Sequence, residues 1–121
     1  MFHKKTLLAS IALLALLSSP VFADPPATTS STNLSGSIAV TNTFQSIQAQ
    51  KNNRLGCTVQ NLGANAMYVY FGSIAGAATT ASAKLNAGQS VNCTLAGINY
   101  VLRDQVSITG TSGDAFFANF Q

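Results

Sequence analysis

The sequence predicts an all-β protein: a small antiparallel β-sandwich or barrel-like domain with one disulfide. Three observations predict it. Apolar residues recur with period two in short segments, each bounded by Gly, Asn or Ser. Beyond the N-terminal apolar run, no helical period persists for the roughly 10–12 residues a helix needs. Cys57 and Cys93 each sit inside an alternating segment, so both sulfurs are expected on the apolar face of a strand.

The first element is not part of that domain. MFHKKTLLASIALLALLSSPVFADPP places Lys4 and Lys5 before an apolar run over 7–17, and Val21-Phe22-Ala23 fits a small-residue cleavage rule. Residues 1–23 therefore read as a secretory signal peptide. The run is shorter than the roughly 20 residues needed to span a bilayer, so no stable membrane insertion is expected after cleavage. Cleavage leaves 98 of the 121 residues, enough for one domain. Residues 24–35, DPPATTSSTNLS, read as a flexible Pro/Ser/Thr-rich leader, and 36–121 as the β domain. The predicted location is secreted or periplasmic.

Short strands follow in order. Segments 37–40 and 44–49 read as one pair. Segment 55–60 and the MYVYF segment 67–71 alternate cleanly, and NLGAN between them supplies turn chemistry for a hairpin. Residues 72–83, GSIAGAATTASA, read as a surface loop with room for a short strand. Strands are then expected at 90–95, 100–102, 106–108 and 115–120. The last two flank ITGTSGDA, read as a hairpin turn rather than an ion-binding loop. Two glycosylation-type sequons occur, Asn33-Leu34-Ser35 and Asn92-Cys93-Thr94, the second in a segment expected to be buried.

The residue inventory narrows the function. After cleavage the charged side chains are Lys51, Arg54, Lys84 and Arg103 against Asp24, Asp104 and Asp114, a net charge of +1. No basic cluster remains, so no nucleic-acid partner is predicted. There is no His, Glu or Trp beyond residue 23. General acid–base catalysis usually recruits His or paired carboxylates, and an activated Ser or Cys needs a base beside it. No catalytic residue, metal site or cofactor is therefore expected. Two cysteines in an exported chain read as a staple, Cys57–Cys93, closing a loop of 37 residues.

One surface stands out. In MYVYF, Met67, Val69 and Phe71 share one face while Tyr68 and Tyr70 share the other. The first face belongs in a core, and the tyrosines form a candidate contact surface.

From Val40 onward the chain resembles small all-β domains of bacteriophage- and prophage-associated structural proteins. The stretches that carry the likeness are VTNTFQSI (40–47), RLGCTVQNLGANAMYVYFG (54–72), LNAGQSVNC (85–93) and DQVSITGTSGDAFFANFQ (104–121). The likeness implies a virion-structural or accessory role and carries over no site residue. The signal peptide departs from that pattern, because virion parts assembled in the cytoplasm need none. A second likeness is to secreted pilin subunits, with their export signal, two cysteines and an aromatic such as the penultimate Phe120. The expected function is a secreted, non-enzymatic structural or interaction module with a protein partner or self-assembly. The alternatives are a carbohydrate- or surface-ligand-binding module using Tyr68 and Tyr70, or a pilin-like assembly subunit.

Overall fold

The computed structural model describes residues 30–95 and 100–121. The expected signal peptide and the first part of the leader lie outside them. Among these residues nine strands form two antiparallel sheets packed face to face as an open sandwich, not a closed barrel. Sheet A contains β1 (Thr32–Asn33), β2 (Gly36–Ser37), β4 (Cys57–Asn61), β7 (Ser90–Asn92) and β9 (Ala115–Phe120). Sheet B contains β3 (Gln45–Gln48), β5 (Met67–Phe71), β6 (Ala83–Leu85) and β8 (Val106–Thr109). In sheet A the order is β1, β9, β4, β7, with β2 also on β9. In sheet B it is β3, β8, β5, β6.

The facing of side chains follows the alternation. Cys57 and Val59 of β4, Met67 and Val69 of β5, Val106 and Ile108 of β8, and Phe116, Ala118 and Phe120 of β9 meet between the sheets. Phe71 is half-buried and packs against this core. Val69 is fully enclosed, so Val69→Ala should lower stability by about 1–3 kcal/mol through lost burial and a residual cavity. Urea unfolding monitored by tyrosine fluorescence measures this.

The partners of the strands differ from expectation. Residues 37–40 and 44–49 do not pair as backbone strands: β2 lies in sheet A and β3 in sheet B. A side chain joins them instead. Gln45 accepts a hydrogen bond from the Ala39 amide (2.7 Å) and donates one to the Ser37 carbonyl (3.0 Å). Nor do β4 and β5 form a hairpin, because the chain crosses between sheets at 62–66. Buried Asn61 holds that crossing: its amide nitrogen donates to the Asn65 and Leu85 carbonyls (2.7 and 3.0 Å), and its oxygen accepts from the Gly63 amide (2.8 Å). The 110–114 turn likewise crosses from β8 to β9 rather than closing a hairpin. The two crossings touch. A Cβ on Gly63 would lie 2.5 Å from the Asp114 Cβ, so only glycine fits there. The strand expected at 100–102 is reduced to a bridge between Val101 and Thr94.

The domain also begins earlier than its composition suggests. Thr32 and Asn33, placed in the leader by their polar surroundings, already pair with Phe120 and Asn119. β1 and β2 share one register along β9. At the break between them the Ala118 amide donates to the Ser35 hydroxyl (3.0 Å), while the Leu34 amide donates to the Ala118 carbonyl (2.8 Å). A side-chain oxygen thus substitutes for a ladder acceptor, which is why a Ser/Thr-rich segment can serve as a sheet edge.

Candidate functional site

Cys57 and Cys93 form the expected disulfide, with Cα atoms 5.1 Å apart. It links neighbouring strands of sheet A, since the Cys93 amide donates to the Cys57 carbonyl (3.0 Å). Such a bond fits an oxidising compartment. No helix of the described residues is long and apolar enough to cross a membrane.

Tyr68 and Tyr70 point away from the core on the outer face of sheet B, as the alternation requires, yet neither is freely exposed. The Tyr70 ring meets Phe44 edge to face, with centroids 6.4 Å apart. A Cβ placed on Gly72 would come within 2.8 Å of the same ring, so this part of the loop after β5 lies close against it. Tyr70 pairs directly with Ser107, and Tyr68 with Thr109. These outward hydroxyl residues of β8 are consequently shut off, at 0% and 2% exposure, and neither hydroxyl has a hydrogen-bond partner. Tyr70 thus acts as part of a lid over β8 rather than as an open contact. Tyr70→Ser should lower stability by about 1–3 kcal/mol and Tyr68→Ser by less than about 1 kcal/mol, as read by urea unfolding.

Sheet A carries a more open surface, and a β-bulge creates it. The amides of Leu55 and Gly56 both donate to the Gln121 carbonyl (2.7 and 3.4 Å), and the Gln121 amide returns a bond to Gly56 (2.9 Å). Two residues therefore oppose one, and the facing of the chain before β4 reverses. Leu55, which unbroken alternation along 55–60 would put inward with Cys57 and Val59, is turned out and is 57% exposed. Arg54 takes the inner place at 1% exposure.

Arg54 is held by the backbone. Its guanidinium donates to the carbonyls of Leu102 (2.9 Å), Asp104 (2.8 Å) and Ala49 (3.2 Å) and to the Gln48 side chain (3.0 Å). It also lies 5.3 Å from the centre of the Phe120 ring. Burial pulls its pKa below the ordinary value, and Asp104 pulls it partly back. An arginine guanidinium nevertheless keeps its charge throughout the physiological range. The segment QKNNRLG gives no period-two cue that this arginine is internal.

Leu55 and Phe117 flank a groove of about 460 Å³ on the outer face of sheet A. Thr58, Asn92, Thr94, Asn119 and Gln121 supply its polar lining, and Gly56 leaves room among them. No charged side chain takes part. Asn92, in a segment expected to be buried, is exposed because it faces outward with Thr58, whose hydroxyl donates to its amide oxygen (2.9 Å). Elsewhere, Asp114 lies against Gly63 with one carboxylate oxygen buried and unpartnered. Among the described residues no three His, Cys, Asp or Glu side chains gather as a metal site would require.

The chain matches no family model, no curated protein and no solved structure. Its function must be read from this surface chemistry. Sequence reasoning missed the groove because its walls come from segments far apart in the chain. The visible signals were Phe117, which alternates out of phase with Phe116 and Ala118, and the unusual density of Asn, Gln and Thr at outward positions.

Proposed function

We propose that the protein is an exported, non-enzymatic interaction module of the kind found in phage- and prophage-associated structural proteins, acting outside the cytoplasm. The observation that carries this reading is the groove on sheet A, a cleft within the roughly 300–1,000 Å³ range of ligand sites and lined without charged side chains. The disulfide at the edge of that sheet supports an oxidising location. The pilin-like alternative draws less support, because Phe120 is packed in the core beneath Arg54. The tyrosine surface also draws less, because Tyr70 is engaged by Phe44.

Sedimentation velocity and electron microscopy of the purified protein separate self-assembly from ligand binding. Rings or filaments assign it a structural role. A monomer retained by the surface of the cells that export it assigns a binding role. A monomer with no such retention overturns the reading.

A further inference from the structure

We infer that the groove on the outer face of sheet A binds a neutral saccharide, with Leu55 and Phe117 against the sugar's C–H surfaces and Asn92, Asn119 and Gln121 on its hydroxyls. This rests on the interaction-module reading and names the ligand class for that site.

Four features select this chemistry. The first is the state of the backbone beneath the groove. β4 is paired on both sides, with β9 and β7, and β9 is paired with β4 and with β1 and β2. An extended peptide is usually held by free main-chain groups at a sheet edge, and the centre of this face has few to give. Recognition must come mainly from side chains. The second is their type. Asn119 and Gln121 make no side-chain hydrogen bond among the described residues, and Asn92 uses only its oxygen, leaving its NH₂ free. A planar amide presents a donor and an acceptor side by side, which suits a pair of adjacent hydroxyls. The third is the absence of charged side chains from the lining, which gives an anionic or cationic ligand no side-chain counter-charge on leaving water. The fourth is the apolar pair. An aromatic ring offers a broad apolar face with little conformational entropy to lose, and Leu55 lines the same groove because the bulge turned it out.

Gly56 provides a clean probe. A Cβ there would meet only the Gln121 amide oxygen, at 3.7 Å, an ordinary contact. Gly56→Leu should therefore fill the groove while leaving the fold intact.

The test is an NMR titration of the ¹⁵N-labelled protein with cellotetraose, maltotetraose, chitotetraose and mannotetraose, each up to about 10 mM. The expected result is saturable movement of the Asn92, Asn119 and Gln121 side-chain NH₂ signals with at least one of the four. Gly56→Leu and Phe117→Ala should each weaken that binding tenfold or more, with the core signals of Val59 and Ile108 unmoved, and Tyr68→Ser should leave it unchanged. No saturable shift with any of the four sugars overturns the inference, as does binding that survives Gly56→Leu. Retention on exporting cells together with a failed titration removes the saccharide and leaves the interaction module standing.

Discussion

Arg54→Met should lower the free energy of unfolding by about 3–5 kcal/mol, the largest single-residue loss expected in this protein. The wild-type guanidinium satisfies three carbonyls and the Gln48 side chain at the end of the sandwich. Methionine fills much of the same volume but donates nothing. Each acceptor left dry costs about 1–3 kcal/mol, moderated where water can reach it. Arg54→Lys should recover only part of the loss, because an ammonium group cannot reproduce the planar fork that spans Leu102, Asp104 and Ala49. Denaturant unfolding of the three proteins measures the series. Equal stability of the methionine variant and wild type would show that these carbonyls find other partners.

Reduction of the disulfide, or the Cys57→Ser/Cys93→Ser double change, should cost about 2–5 kcal/mol. The cysteines are separated by 36 positions in sequence, so the bond removes much loop freedom from the unfolded chain. Total stabilities of small domains are about 5–10 kcal/mol, which makes this a large fraction. β7 has only three residues and pairs with β4 alone within sheet A. Hydrogen exchange after reduction should therefore rise first at Val91 and Cys93 and only later at Thr58 and Gln60, whose amides face β9. A fully oxidised protein that unfolds at the same denaturant concentration with and without reductant would contradict this.

The facing of residues was legible in the sequence to the extent that alternation ran unbroken. Cys57 and Val59, Met67 and Val69, and Phe116, Ala118 and Phe120 all lie where period two puts them. Alternation breaks at a bulge, and a single extra residue reversed Leu55 and Arg54. Pairing was less legible. A strand's pattern says which face is buried but not which strand lies beside it, and NLGAN looks like hairpin chemistry whether or not Asn61 turns inward to hold a crossing. The tyrosines faced outward as read, but no local pattern could place Phe44 over Tyr70 from the far side of β8. The edge strand at Thr32–Asn33 escaped notice because its pairing relies partly on a serine hydroxyl, in a composition that ordinarily signals a linker.

The place of β9 sets a timetable for folding. It follows every other described strand in the chain, yet it lies inside sheet A, bonded to β4 on one side and to β1 and β2 on the other. Sheet B has all its strands once Thr109 has emerged, whereas sheet A waits for Phe120. A chain delivered across a membrane N-terminus first would assemble one sheet while the other is still incomplete. Contacts so distant in sequence form slowly, and unpaired strand edges invite aggregation meanwhile. A pause in delivery before residue 115 would leave the N-terminal edge without any strand to join and β4 held only by β7 and its cysteine.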